Sequence, residues 1–281
     1  MASGTDVTAP YGFLPINLIG GQVFAGSTRM YPIQYGYATD IFYGDFVKVV
    51  RGSLTRVSIE STTSSNALTG VFLGCSYTDP VSKDKRFSQY WPASTLAGDA
   101  VAYVCDDPDS VFKAAVCSSG TTMASGAYAL IGTNLACINN TGNVNTGNSK
   151  NAILAPTDTP VTSILPLRCV GVVPETSISY TATGSSSSTT LTLTGSGAPA
   201  ALPVGTSVAY YAANGQLIET GSFLDTAAAS GDTSLVLNAA IAVPGSVTAI
   251  PAASTVVFTV YRELLVKLNV LTHGYYSSVT A

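Results

Sequence analysis

The fold class is decided by the stretch Val208-Ala209-Tyr210-Tyr211-Ala212-Ala213-Asn214-Gly215-Gln216-Leu217-Ile218-Glu219-Thr220. Asn-Gly between two strand-like runs is the strongest short signal for a β-hairpin, because both central residues of a type I′ turn need positive φ. The stretch therefore predicts two antiparallel strands joined by a tight turn.

Alternation of apolar and polar residues continues on both sides of this hairpin. A period of two places every second side chain on the same face of a pleated strand. Such runs cover residues 71–77, 101–105, 178–182, 191–193 and 264–270. The last run contains good helix formers, yet it alternates as a strand does. The pattern predicts an all-β chain.

The distribution of charge predicts the domain organisation. Residues 169–261 contain no lysine or arginine, so the formal net charge of −4 lies wholly in that part. A boundary this sharp favours two bodies with different surfaces. We predict a β-sandwich or barrel-like body formed by residues 45–173 plus 255–281. Residues 174–254 form an inserted, acidic, second small β-sandwich, and residues 1–44 form an extended N-terminal arm.

The first 46 residues hold nine of the 25 aromatic residues, together with prolines and glycines that exclude a helix. Aromatic side chains are enriched among the anchors of protein interfaces. We therefore predict that the arm lies on a partner, although packing on the chain's own core is an equally weighted alternative. The predicted contact residues are Tyr11, Phe13, Phe24, Arg29, Tyr31, Tyr35 and Tyr37.

No motif in the sequence predicts catalysis, a cofactor or a metal. Residues 21–28 nearly spell a phosphate-binding loop, but Ser27 stands where that loop needs lysine. His273 is the only histidine, and no nucleophile elbow accompanies it. Three carboxylates flank Pro108 without the spacing of a calcium loop. We predict a protein that is not an enzyme.

The five cysteines are at least twelve residues apart, which excludes a CxxC pair. We expect reduced cysteines that behave as small hydrophobic residues. The start of the chain lacks the basic segment and apolar core of a signal peptide, so we expect synthesis in the cytoplasm. The longest apolar runs are too short for a membrane-spanning helix. Twelve basic residues scattered among sixteen acidic ones argue against nucleic acid as a partner.

Several motifs carry a family resemblance. They are Pro10-Tyr11-Gly12 leading to Gly20-Gly21-Gln22, Gly70-Val71-Phe72-Leu73-Gly74-Cys75-Ser76-Tyr77-Thr78-Asp79-Pro80, Phe87-Ser88-Gln89-Tyr90-Trp91-Pro92, and Asp99-Ala100-Val101-Ala102-Tyr103-Val104 followed by Asp106-Asp107-Pro108. Together they resemble the decoration, or cement, proteins of tailed bacteriophages, in particular those of cyanophage-like genomes. The resemblance covers about residues 8–173 and the closing strand, so the insert lies outside it.

The resemblance implies a virion protein on the outer capsid surface, made in the host cytoplasm. Its implied partners are the major capsid protein and further copies of itself in a homotrimer. The arm would clamp neighbouring capsid subunits and stabilise the capsid. Two alternatives remain: a tail or adhesion module that binds host-surface glycans through the Ser/Thr/Gly-rich insert, and a β-fold hydrolase.

Overall fold

The computed structural model describes residues 7–50, 53–56, 68–155, 165–241 and 249–273, with the backbone alone for residues 53–56 and 272. Nearly all of the regular structure is β, which confirms the predicted class. In chain order the strands are β1 Leu14–Leu18, β2 Arg29–Pro32, β3 Phe46–Val50, β4 Ser53–Arg56, β5 Gly70–Thr78, β6 Lys85–Ser88, β7 Val101–Cys105, β8 Ser110–Ser119, β9 Thr122–Met123, β10 Asn134–Leu135, β11 Cys137–Ile138, β12 Ala152–Leu154, β13 Leu167–Val172, β14 Ser177–Ser187, β15 Thr190–Leu193, β16 Ser207–Tyr211, β17 Leu217–Phe223, β18 Ser234–Val236, β19 Ser254–Tyr261 and β20 Glu263–Leu268. Short 3-10 turns cover Tyr128–Leu130, Pro174–Thr176 and Val270–Thr272.

The first sheet is built around β8. Its order is β10-β13-β20-β8-β12-β11, and β1 and β9 also pair with β8. The predicted strand after residue 262 is β20, which pairs antiparallel with β13 on one side and β8 on the other. Leu264, Val266 and Leu268 on this strand are fully buried, as their alternation predicts. They lie in the first hydrophobic core with Phe13 and Phe112.

The second sheet has the order β2-β7-β5-β3-β4, with β6 paired to one end of β5. The end strands β2 and β4 approach each other, so this sheet is strongly curled. Its inner face packs a second core around Trp91, Phe72 and Ile41, all fully buried. Tyr77 meets Trp91 edge to face, with ring centroids 5.3 Å apart.

The third sheet curls until its two ends meet. Its order is β17-β16-β19-β14-β15-β18, and Leu224 and Leu237, just beyond β17 and β18, form a bridge. The amides of Asp225 and Asn238 donate across the same seam, to Val236 and Phe223 at 3.0 Å each. The result is a small, nearly closed barrel with its own apolar core.

The Asn-Gly hairpin is present, but its turn is longer than predicted. Tyr211 pairs with Leu217, and the Ala212 amide still donates to the Gln216 carbonyl at 2.9 Å, so three residues, 213–215, form the loop. Gly215 has a φ of +79°, whereas Asn214 does not have a positive φ. Its side chain instead accepts a hydrogen bond from the Gln216 amide at 3.0 Å. An Asn side chain that bonds its own backbone stabilises such a turn without the type I′ geometry.

The strand pairing corrects the sequence boundaries of the insert. The sequence predicts that residues 255–281 belong to the body, but β19 pairs with β14 and β16 inside the third sheet. Residues 274–281 lie outside the described residues. The chain re-enters the first sheet only at Glu263. The charge boundary at residue 261 therefore follows the sheet more closely than the boundary drawn at residue 254.

The third sheet packs tightly on the first. Phe223 and Tyr261, at the ends of β17 and β19, belong to the first core. The Ser125 amide donates to the Val204 carbonyl at 2.9 Å. Gly205 lies so close that an added Cβ would be 2.0 Å from the Ser125 carbonyl oxygen. The insert therefore has a fixed attachment to the body.

The N-terminal segment is the second correction. The structure differs from the extended arm predicted for residues 1–44, because β1 pairs with β8 and β2 pairs with β7. Residues 1–6 lie outside the described residues. Phe13, Ile41 and Phe42 are fully buried within the same chain. The alternative of packing on the chain's own core therefore describes most of this segment. The physical reason is that β8 and β7 offer strand edges that the segment can pair with.

Candidate interaction surface

Two of the predicted contact residues face the interior of the protein. Phe13 is fully buried, with its ring centroid 4.3 Å from that of Phe46. Tyr11 is half-buried and donates its hydroxyl proton to the carboxylate of Glu263. Burial and this hydrogen bond raise the pKa of Tyr11, so its phenol stays neutral. Both side chains fasten the segment to the body and are not presented to a partner.

Arg29 and Tyr31 converge on one carboxylate. The Arg29 Nε lies 3.0 Å from Asp106 Oδ2, and the Tyr31 hydroxyl donates to the same oxygen at 2.7 Å. The pairing of β2 with β7 places both residues beside the end of β7, where Asp106 follows. The Arg29 side chain remains 59% exposed, so part of its surface still faces solvent.

The other predicted contact residues differ in exposure. Phe24 packs partly against the first core, and Tyr37 partly against the second. Tyr35 is 62% exposed. The loop after it touches the loop around Leu96, since the Gly36 amide donates to the Thr95 carbonyl at 3.2 Å. Tyr35 and Leu96 therefore present two exposed apolar side chains from adjacent loops.

We give the name N-terminal loop to residues 19–30, which comprise the loop after β1 and the first two residues of β2. Every one of them except Phe24 is exposed. Its large apolar side chains are Ile19, Val23 and Met30, with Val23 81% exposed. The contact residues predicted from the sequence are mostly aromatic, so the prediction did not include these three aliphatic residues. Their exposure could have been predicted, because these large apolar residues lie within a stretch rich in glycine and short polar residues.

The base of the N-terminal loop is a rigid hairpin. The Leu18 amide donates to the Gln22 carbonyl at 2.7 Å, and the Gly21 amide donates back to the Leu18 carbonyl at 2.9 Å. Gly21 has a φ of +79°, a conformation that favours glycine. Phe24, packed on the first core, holds the returning strand. The exposed apolar side chains therefore extend from a fixed support.

The strongest candidate for chemistry is the buried carboxylate of Glu263, which is 1% exposed. Besides Tyr11, it accepts a hydrogen bond from the Thr176 hydroxyl at 3.0 Å and lies 3.4 Å from Lys113 Nζ. A buried charge needs such partners to offset its lost hydration. The cluster joins the N-terminal segment, the first sheet and both connections to the insert. The cluster therefore has a structural role, since it holds these parts of the chain together.

The five cysteines are reduced and buried. Burial raises the pKa of Cys75 to about 12 and the pKa of Cys117 and Cys169 to about 11. A thiol needs a lowered pKa and access to act as a nucleophile. These cysteines therefore pack as small apolar side chains, as the sequence predicts.

His273 and the aspartates around Pro108 have structural partners. His273 is fully buried, with Nε2 3.1 Å from the Asp106 carbonyl oxygen, and burial lowers its pKa. Asp107 accepts a hydrogen bond from the Asp109 amide at 2.9 Å, as in an ordinary turn. No group of three potential metal ligands occurs among the described residues.

No protein-family model matches the chain, and neither a curated protein nor a solved structure shows significant similarity to it. Within the part of the chain that the structure describes, no helix has the length and hydrophobicity needed to cross a membrane.

Proposed function

We propose that this chain is a structural virion protein that docks on the outside of a bacteriophage capsid and stabilises it. The motifs that resemble cement proteins support this proposal, and so does the exposed N-terminal loop. The proposed partners are the major capsid protein and other copies of this chain. The observation that carries the proposal is a rigidly based loop that presents three large apolar side chains to solvent.

The loop has the surface chemistry of a docking element. Ile19, Val23 and Met30 are 53%, 81% and 68% exposed. The only charged residue within residues 19–30 is Arg29, and Asp106 already compensates it. Exposed apolar side chains that form one patch on a folded protein commonly mark a site of protein interaction, and we propose that these three side chains form such a patch. Tyr35 and Leu96 are two further exposed apolar side chains, at 62% and 55%.

The expected gain per contact is substantial. Full burial of one large apolar side chain contributes about 1.5–3 kcal/mol. A single loop would therefore bind a capsid weakly after the cost of association is subtracted. Many copies on one shell, or several copies in one oligomer, would raise the effective affinity through multivalency. This agrees with a protein that acts in an ordered array.

The test is co-sedimentation of the purified protein with shells assembled from the capsid protein of the same phage. The double variant Val23→Asp/Met30→Asp places two charges on the loop, and we expect shell binding at least about tenfold weaker. Val81→Asp is the matched control, because Val81 is 89% exposed on the turn between β5 and β6. Circular dichroism checks that each variant folds.

Equal binding by the double variant and the parent protein would contradict docking through the N-terminal loop. No binding of the parent protein to shells would contradict the capsid role itself. A count of copies per virion separates the main alternative, since hundreds of copies indicate a shell protein and a few copies indicate a tail or adhesion module.

A further inference from the structure

The outer face of the third sheet carries a carboxylate, Glu219 on β17, beside apolar side chains. In the pairing of β17 with β16, Glu219 lies opposite Ala209, and Leu217 lies opposite Tyr211. Tyr210, between the two residues of β16, belongs to the barrel core, so the side chains of these two pairs point outward. Tyr211 and Leu217 are 44% and 43% exposed. They lie within reach of Glu219, since diagonal neighbours on one face of a sheet can touch through long side chains.

Two tyrosine rings at the junction of the first and third sheets lie on the other side of this carboxylate. Tyr128 meets Tyr261 edge to face, with ring centroids 5.2 Å apart and an angle of 77° between the planes. β17 lies against the 3-10 turn that carries Tyr128. Burial raises the pKa of Tyr261, and so do its contact with Tyr128 and the charge of Glu219, which is therefore close to this ring. Tyr128 is 44% exposed, so the corner around Glu219 is open to a partner.

Glu219 has no ion pair or hydrogen bond within the part of the chain that the structure describes. Composition is one cause, since residues 169–261 contain no lysine or arginine. The side chain is accessible, yet partial burial already raises the pKa of Glu219. Partial loss of hydration without a compensating charge is unfavourable for a carboxylate. An arginine from outside the insert would supply that charge and would also stack on the tyrosine rings.

The first sheet carries an arginine in the converse situation. Arg168 on β13 is exposed, and its cross-strand neighbours are Lys267 on β20 and Asn134 on β10. Like charges directly opposite each other in a sheet are destabilising. Lys267 is compensated in part, because its Nζ lies 3.5 Å from Asp109 Oδ1. Arg168 has no ion pair among the described residues, so it is an exposed cation beside a second cation.

The charge distribution of the whole chain favours a second copy of this chain as the partner. All twelve basic residues lie outside residues 169–261, and the net charge of −4 lies wholly inside that range. Two inserts therefore repel each other, whereas the insert of one copy can contact the body of another without repulsion.

We infer that copies of this chain associate through Glu219 of one copy and Arg168 of another. The guanidinium donates two parallel hydrogen bonds to the carboxylate and stacks on the exposed Tyr128 ring. Leu217 and Tyr211 add apolar contact around the ion pair. Both charged residues lie on paired strands, so the backbone around them is already fixed before association. This contact rests on the association between copies proposed above and does not depend on docking at a capsid.

The test is the association state of the purified full-length protein, measured without shells by sedimentation equilibrium. We expect the parent protein to self-associate with a dissociation constant of about 100 µM or lower. Glu219→Arg and Arg168→Glu should each raise this constant at least about tenfold, because like charges then face each other across the contact. An equimolar mixture of these two variants should associate about as tightly as the parent protein, since opposite charges then meet at every contact.

Glu175→Arg and Lys83→Glu are the matched controls. They reverse an exposed acid of the insert and an exposed cation on the turn between β5 and β6. Both variants should associate like the parent protein. The Val23→Asp/Met30→Asp variant should do so too, which keeps this contact separate from the N-terminal loop. Circular dichroism checks that each variant folds.

A parent protein that stays monomeric at about 500 µM would overturn the inference. Unchanged association of Glu219→Arg or of Arg168→Glu would also overturn it, as would failure of these two variants to associate when mixed. Loss of association in Val23→Asp/Met30→Asp would assign the contact between copies to the N-terminal loop instead. Shell binding is a separate measurement, so a protein that self-associates through this contact but binds no shell would contradict the capsid role alone.

Discussion

Replacement of Phe13 by alanine tests whether the N-terminal segment is part of the core or a free anchor. Phe13 is fully buried against Phe46, and its amide donates to the Gly44 carbonyl at 3.1 Å. An added Cβ on Gly44 would lie 2.8 Å from the Phe13 nitrogen, so the backbones are already in contact and have little room to close a cavity. Removal of a buried Phe ring costs about 3–5 kcal/mol, and a site that cannot collapse falls toward the upper end.

Such a loss is a large share of the 5–15 kcal/mol that typically separates folded and unfolded states. Urea unfolding should be followed by far-ultraviolet circular dichroism and by fluorescence of Trp91, the single tryptophan, which is buried in the second core. Tyr35→Ala removes an exposed ring from the same segment and should change the free energy of unfolding by about 0.5 kcal/mol or less. If Phe13→Ala costs under about 1 kcal/mol yet abolishes shell docking, the ring is an interface anchor and our description of the core is refuted.

Two further predictions concern the attachment of the insert and the buried thiols. Gly205→Ala should destabilise the protein by at least about 2 kcal/mol more than Gly215→Ala. Both glycines have positive φ, but only at Gly205 would an added Cβ clash with a backbone oxygen. Equal midpoints of urea unfolding for the two variants would contradict the packing of the third sheet on the first. The raised pKa values of the cysteines mean that the folded state keeps thiol protons which the unfolded state loses above about pH 8.5. Their stabilisation is complete below that pH and is lost as the pH rises toward 11, by up to about 1.4 kcal/mol per pH unit for each cysteine. Urea unfolding between pH 8 and pH 11 measures this slope, and a flat profile would contradict burial of the thiols.

Sequence patterns predicted the elements whose cause is local. The alternation in residues 264–270 predicted β20 correctly as far as Leu268, because the burial of every second side chain leaves a period of two in the sequence. Val270 differs from the prediction, since it lies in a 3-10 turn and is 38% exposed. The Asn-Gly hairpin was likewise predicted, although its loop length depended on a side-chain hydrogen bond that no pattern shows. The charge distribution indicated a boundary at residue 261. The predicted boundary was nevertheless at residue 254, because the apolar pattern of β19 does not show which sheet the strand joins.

The N-terminal segment was harder to predict, because burial of an aromatic ring is equally favourable in the chain's own core and against a partner protein. Whether a ring stays inside depends on the edges that the rest of the chain leaves open. Here β8 and β7 accept β1 and β2, and this pairing carries Phe13 inward. The bulge at Gly74 was not predictable for a similar reason, because it is a property of the pairing between β5 and β7.

The division of the N-terminal segment into a buried base and an exposed loop changes how docking would work. A free arm would lose its conformational freedom upon binding, at roughly 1–2 kcal/mol of backbone entropy for each residue fixed. The hairpin at Leu18 to Gln22 and the packing of Phe24 have already removed much of that freedom during folding. A preorganised loop retains more of the free energy of apolar contact as affinity. Deletion of residues 1–30 would therefore remove core packing together with the docking loop, and only substitutions at its exposed positions can separate the two effects.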